Sequence, residues 1–151
     1  MTTIYVSDTK TLPKRRDFDF YPTPLPVAHD ALSFLPTGHQ PQCILDPGAG
    51  AGVWGKAARL RWPKSTITGV DIRPVARPAA YNFWINQDFL LTDAEGTFDC
   101  VVGNPPYNYA EQFSRHSMKH MESGGHLILL LRLNFLESQS RAKGLWRQHP
   151  P

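Results

Sequence analysis

An amide, two prolines and a phenol stand in succession at Asn104-Pro105-Pro106-Tyr107. The side-chain oxygen of Asn104 and the backbone carbonyl of Pro105 can each accept a hydrogen bond from one amino group. Two such acceptors draw the lone pair of an exocyclic nitrogen out of conjugation and let it move towards tetrahedral geometry. Pro105 and Pro106 stiffen the segment by fixing φ. Tyr107 offers a flat face to a planar base, and such stacking offsets part of the roughly few kcal/mol needed to extract a base from a duplex. The residue types therefore suit chemistry at an amino group on a planar ring. Attack on an already activated electrophile needs positioning there, not a strong general base. A plain turn is the alternative, since Asn-Pro commonly starts one. It accounts for the prolines but not for the flanking amide and ring.

A second segment, Asp46-Pro47-Gly48-Ala49-Gly50-Ala51-Gly52, joins an apolar run to a helical pattern. Glycines here allow a tight turn and close approach of a ligand to the backbone. The following helix start adds unpaired N–H groups and partial positive charge. Gly50-Ala51-Gly52-Val53-Trp54-Gly55 also fits the dinucleotide pattern G-x-G-x-x-G, which alone is weak evidence. Asp71, at the end of the next strand, stands where an acid holds a ribose diol. Asp46 separates the cofactor classes: an acid at the head of the loop repels a pyrophosphate but can accept bonds from the amino group of a methionine moiety.

These residues need a scaffold that brings strand ends together. Cys43-Ile44-Leu45, Thr66 to Val70, Tyr81 to Ile85, Phe98 to Val102 and His126 to Leu133 read as strands, the last as a run buried on both faces. Helical patterns cover Val27 to Leu35, Gly52 to Arg61, Tyr109 to Met121 and Phe135 to Trp146. The prolines of Tyr21 to Pro26 exclude a helix there, and Gly124-Gly125 are expected to stop the third helix. Alternation of strands and helices predicts an α/β fold, a doubly wound, mostly parallel sheet with right-handed crossovers. Residues 1–20 lack periodicity and are expected to form an arm ahead of one domain over 21–151.

With charged residues at 19% and hydrophobic ones at 41%, the 151-residue chain reads as globular. The formal charge of +3 comes from the last quarter. There Arg115, Lys119, Arg132, Arg141, Lys143 and Arg147 face only Glu111, Glu122 and Glu137, with His116, His120, His126 and His149 besides. A phosphate backbone would favour such a segment, and an ordinary solvated helix face would also produce it. Cys43 and Cys100 read as reduced core thiols, so neither a metal site nor a disulfide framework is expected. The N-terminus has no apolar stretch behind Lys14, Arg15 and Arg16, and Leu127 to Leu131 is far too short to span a membrane, so the expected location is cytoplasmic.

Taken together the segments resemble the class I methyltransferases, and within them the amino-methylating DNA N6-adenine group, its small bacteriophage members included. Asp46 to Gly52, with Gly48 and Gly50, is similar to that family's cofactor loop. Gly69-Val70-Asp71-Ile72 is similar to its second motif. The resemblance implies that Asp71 binds the ribose and Ile72 lies against the adenine of S-adenosyl-L-methionine. Gln87-Asp88-Phe89-Leu90 resembles the third motif, with Asp88 on the adenine amino group and Phe89 packed on the ring. Asn104 to Tyr107 is similar to the catalytic motif. Phe20-Tyr21-Pro22-Thr23-Pro24 resembles the N-terminal motif, which implies that Tyr21, Thr23 and Pro24 contact the methionine end. The implied activity is methylation of adenine in DNA.

The likeness covers roughly residues 20–134 and fails at the C-terminus. The family's fold has seven strands, and only five can be placed. Either the chain is truncated, or a partner chain or second copy completes the sheet. Other readings stay open. Related Asn-Pro-Pro motifs act on glutamine in a protein or guanine in RNA. A non-catalytic module that binds the cofactor or nucleic acid is a different class. A nicotinamide-dependent oxidoreductase is a third, and it offers no role for Asn104 to Tyr107.

Overall fold

The computed structural model describes residues 21–93 and 97–150. The expected arm over 1–20, and Phe20 of the N-terminal segment, lie outside those residues. The described chain runs α1 (Leu25–Leu32), β1 (Cys43–Pro47), α2 (Val53–Arg61), β2 (Thr66–Asp71), β3 (Phe83–Asn86), β4 (Phe98–Gly103), α3 (Ala110–His120), β5 (Met121–Leu129), α4 (Gln139–Lys143) and α5 (Leu145–Gln148). Short 3-10 turns at Phe89–Leu91, Tyr107–Tyr109 and Leu133–Phe135 link them. The five strands form one sheet in the order β3-β2-β1-β4-β5, and every pairing is parallel.

Side chains along a strand alternate between faces, and the alternation sorts the core into two layers. Ile44, Ile67, Cys100 and Val102 pack under α1 and α2, against Ala28, Leu32, Trp54, Ala57 and Ala58. Leu45, Val70 and Val101 face the other way, towards Phe113 of α3 and Phe89. Helices thus cover both faces, which is the doubly wound arrangement. The strand order reverses beside β1, so the ends of β1 and β4 diverge into the crevice where such sheets bind ligands. A third cluster, Ala110, Phe135 and Leu145, docks the C-terminal turns onto α3.

Several boundaries differ from the sequence expectations. The prolines do not keep residues 21–26 out of a helix: α1 begins at Leu25, with a proline in its first turn. First-turn amides have no intrahelical acceptor, so a proline there removes no bond. Gly124-Gly125 do not stop α3. The helix ends at His120, and β5 starts at once with Met121 beside Phe98. The glycines lie inside β5, where the register with β4 shifts between Phe98 and Cys100; Gly124 takes φ +84. β5 is not buried on both faces either. It is an edge strand of the sheet, like β3 on the other side, and Gly125 to Leu129 are only half-buried. The single helix expected over Phe135 to Trp146 is instead a 3-10 turn and two short helices broken at Gly144. Cys43 and Cys100 are free thiols on neighbouring strands, and burial raises the pKa of both.

Candidate active site

The first half of the site is the turn after β1. Asp46 is the fourth residue of that strand and is fully buried. Its Oδ2 accepts a 2.5 Å hydrogen bond from the Tyr81 hydroxyl, which itself accepts from the Gly55 amide at 3.2 Å. Its Oδ1 has no hydrogen-bond partner, although buried. Gly103 on β4 leaves the space that this oxygen occupies: a Cβ there would come within 3.2 Å of it. Burial pushes the Asp46 carboxyl up to about 7, against the opposing pull of the tyrosine bond. Tyr81 is pushed upward too, by burial and then by the carboxylate beside it.

The loop amides turn inward. Gly48 and Ala49 both donate to the Val70 carbonyl, at 2.8 and 2.9 Å, and Gly52 donates to Ala49 at 2.9 Å. Gly50 donates to Asp71 Oδ2 at 2.7 Å. Those four amides are thus engaged within the protein and do not offer the anion cradle of a dinucleotide loop. Positive φ at Gly48, Gly50 and Gly52 is what lets the chain fold back this far.

Asp71 ends β2, almost wholly buried, and Arg73 covers it. The Arg73 amide and Nε donate to Oδ1 at 2.8 and 3.0 Å, and Nη2 donates to Oδ2 at 3.1 Å. Burial alone would raise the Asp71 pKa, but the bonds from Arg73 and Gly50 outweigh it and hold the carboxyl below its ordinary value. Ile72 beside it is 47% exposed, an apolar surface at the crevice. Asp88 caps the 3-10 turn Phe89–Leu91, accepting from the Leu90 amide at 3.1 Å. Phe89 does not open onto the crevice. It is buried, with ring neighbours Phe113, His116 and His120.

The second half follows β4. Asn104 donates from Nδ2 to the Tyr21 carbonyl at 3.0 Å and to Thr23 Oγ1 at 3.1 Å. Thr23 Oγ1 also accepts from Trp54 Nε1 of α2 at 3.3 Å, so the amide is anchored to two elements. Asn104 Oδ1 is left buried with no partner. Pro24 is the N-cap of α1, Pro105 is buried, and Pro106 precedes the 3-10 turn that Tyr107 opens. Tyr21 does not stay beside the loop alone. Its ring stacks on Tyr107, with centroids 5.5 Å apart and planes 23° apart.

The structure gathers Thr23, Asn104, Tyr21 and Tyr107 on one side and Asp46, Gly48, Gly50, Asp71 and Ile72 on the other. Sequence reading missed Tyr81 and Arg73, and it named Arg132 only as one of the basic residues of the last quarter. The signal for Tyr81 was an aromatic at the head of an edge strand; that for Arg73 was a cation two residues past an acid. The basic tail also divides. Arg141 is tied inward, donating to the Phe135 carbonyl at 2.6 Å and the Asn134 carbonyl at 3.3 Å, and Arg115 pairs with Glu111 at 3.0 Å. His116 and His120 face Thr92, and burial lowers both pKa values, His120 to about 4. His126 packs against His39 at 4.4 Å. His116 and His120, kept neutral by burial, add no positive charge to a nucleic-acid face. Among the described residues no cluster of histidine, cysteine or carboxylate could hold a metal, and no helix is long and apolar enough to cross a membrane.

A family model described as a methyltransferase domain matches residues 23–151. A Type II methyltransferase, M.CvrRI, of a Paramecium bursaria Chlorella virus is 38% identical over 72 residues, covering 45% of this chain and 19% of its own. A ribosomal RNA small subunit methyltransferase C of Pseudomonas entomophila is 30% identical over 130 residues, 75% of this chain and 37% of its own. The chain thus spans well under half the length of these curated relatives. The crystal structure of a predicted O-methyltransferase from Agrobacterium tumefaciens superposes with a TM-score of 0.62 at 25% identity, over 78% of this chain and 66% of that one.

Proposed function

The chain belongs to the methyltransferase domain family, and from that premise we propose that residues 21–151 transfer a methyl group from S-adenosyl-L-methionine to the exocyclic amino group of adenine in DNA. One observation carries the proposal. Asn104 is held by its amide nitrogen, so its buried Oδ1 is an acceptor without a donor. A buried acceptor without a partner costs roughly 1–3 kcal/mol. At the mouth of a ligand crevice, a substrate amino group is a fitting donor to offset it.

The residues also fit the cofactor. The unpartnered Asp46 Oδ1 suits the methionine amino group, Asp71 suits the ribose hydroxyls in exchange for Arg73, and exposed Ile72 suits a flat adenine. Asp88, the cap of the 3-10 turn Phe89–Leu91, suits the adenine amino group. Phe89 does not fit the ring-packing role that the resemblance gave it, because its ring is filled in by core neighbours. Bound S-adenosyl-L-methionine supplies a methyl group on a sulfonium, which needs no further activation. Asn104 Oδ1 and the Pro105 carbonyl then orient the attacking nitrogen, and Tyr107 holds the planar ring by stacking.

The paired rings at the rim favour a nucleic-acid base over a protein amide, and the viral Type II relative favours DNA. RNA is the second reading, supported by the longer match to a ribosomal RNA methyltransferase; both target an amino group through the same acceptors. The test supplies labelled S-adenosyl-L-methionine with DNA, RNA and protein acceptors in turn, then identifies the modified nucleoside or residue. N6-methyladenine in DNA is the expected product. Label found only in guanine of RNA, or only in glutamine, would replace the adenine reading.

A further inference from the structure

Three segments distant in sequence meet at the rim beyond Asn104. Tyr21 arrives ahead of α1, Tyr107 follows β4, and Arg132 follows β5. The Arg132 guanidinium lies 4.5 Å from the Tyr107 ring centre and 6.0 Å from that of Tyr21, while the two rings are 5.5 Å apart. These separations close a compact triangle with an acute angle at Tyr107. The cation and the Tyr21 ring therefore share one side of Tyr107. In a sandwich they would be separated by almost the sum of the two shorter distances.

The backbone of Arg132 is fixed while its side chain stays exposed. It is the N-cap of the 3-10 turn Leu133–Phe135, which Arg141 ties down through the Asn134 and Phe135 carbonyls. Arg73, Arg115 and Arg141 each have a carboxylate within 4 Å. Arg132 contacts only rings among the described residues. We infer that Arg132 positions a nucleic-acid target: its guanidinium braces one side of Tyr107 and offers N–H groups to the phosphate beside the nucleotide stacked on the other. A guanidinium suits both tasks, since it packs flat on an aromatic face and donates in its own plane to phosphate. An uncharged amide substrate would leave the second task without a partner. The inference rests on the nucleic-acid reading above and adds to it the group that holds the backbone.

The test compares wild type, Arg132→Ala and Arg132→Lys in anisotropy titrations with a labelled mixed-sequence DNA duplex across a range of salt. Single-turnover methylation of that duplex, cofactor affinity and Tm are measured alongside. Arg132→Ala should raise the DNA Kd about tenfold at low salt and flatten the log–log salt slope by about one. Cofactor affinity and Tm should not move. Arg132→Lys should keep the slope but not the full affinity. An unchanged slope in the alanine variant, or a loss shared equally by cofactor affinity and Tm, overturns the inference. Wild type that methylates RNA in place of DNA overturns the DNA reading, and the slope measured on RNA then decides Arg132. Methylation of protein alone overturns both.

Discussion

The two halves of the crevice are built on opposite principles. On the cofactor side the acids are buried and committed: Asp46 to Tyr81, Asp71 to Arg73 and Gly50, and the loop amides to Val70. On the target side the contacts are between rings and a cation, with Tyr21 half-exposed and Arg132 open to solvent. Directional bonds fix a small invariant ligand in one pose, whereas stacked surfaces accept any flat partner and give way sideways. On the proposed reading, the difference teaches that pose is set on the first side and entry is governed on the second. Asn104 is the one residue that belongs to both, bonded like the first and aimed like the second.

Asn104 is therefore where the comparison breaks most sharply. Asn104→Ala should lower the single-turnover rate by roughly 10²–10³ through loss of a preorganised acceptor. It should also free Tyr21 and Thr23. If the rate falls less than about tenfold, Asn104 is a tether and not an acceptor for the target.

On the cofactor side, Asp71→Ala should weaken S-adenosyl-L-methionine binding by on the order of 1–3 kcal/mol, measured by calorimetry. On the target side, Tyr107→Ala should weaken productive engagement of DNA by about 1–3 kcal/mol, while Tyr107→Trp keeps much of the activity. The sharpening lies in the crossed measurements. Asp71→Ala should leave DNA affinity alone, and Tyr107→Ala should leave cofactor affinity alone. Equal losses in both assays would mean the halves are not separable. Equal impairment of the alanine and tryptophan variants would remove stacking from the account.

A smaller effect tests how the acid is tuned. If ionised Asp46 receives the cofactor's ammonium, cofactor affinity should rise as pH passes through about 7 and then level off. Tyr81→Phe removes a bond that lowers the Asp46 pKa, so the rise should move to higher pH. The sign for folding is opposite. The carboxyl binds its proton more tightly folded than unfolded, so its contribution to stability is fully present below its ordinary 3.8 and is lost as pH climbs to about 7. Asp46→Asn should flatten Tm across that window, and an unchanged Tm profile would show that the carboxyl does not titrate there.

The smallest change separates the tail from both halves. Arg141→Ala should lower stability by about 1–2 kcal/mol, because the 3-10 turn Leu133–Phe135 loses its two carbonyl bonds. The salt dependence of DNA binding should not alter. A slope that flattens even in the Arg132→Ala background would return Arg141 to the phosphate-facing role read from its charge. One that flattens only with Arg132 present would be the loosened turn acting through Arg132.

The layered fold was legible because its signals are local. β-branched runs such as Thr66 to Val70, and the glycines after Asp46, report their own conformation. Asn104, Tyr107, Asp46 and Asp71 could be singled out because side-chain chemistry is written in the residue type, and their roles are those proposed above. What one residue does to another across the fold was not. Nothing near Phe89 in sequence says that Phe113, His116 and His120 enclose it. The charge of the last quarter could not reveal that Arg141 is turned towards carbonyls or that His120 is held neutral. The start of α1 was misread because proline was treated as a breaker in a turn that needs no amide donors.

The Tyr81 ring has a bearing on how the loop's own letters should be read. A methyl group added at Gly52 would meet that ring together with Pro78, one at Gly69 would meet it together with Trp84, and one at Gly55 would collide with the tyrosine alone. Gly55 has no positive φ to explain it. The last glycine of Gly50-Ala51-Gly52-Val53-Trp54-Gly55 is thus the imprint of a tyrosine more than two dozen residues away, not of a nucleotide. Across sequence variants, a side chain at position 55 should appear only where position 81 has become small, and such chains would also give up the hydroxyl that steadies Asp46. The fingerprint and the phenol form one heritable unit.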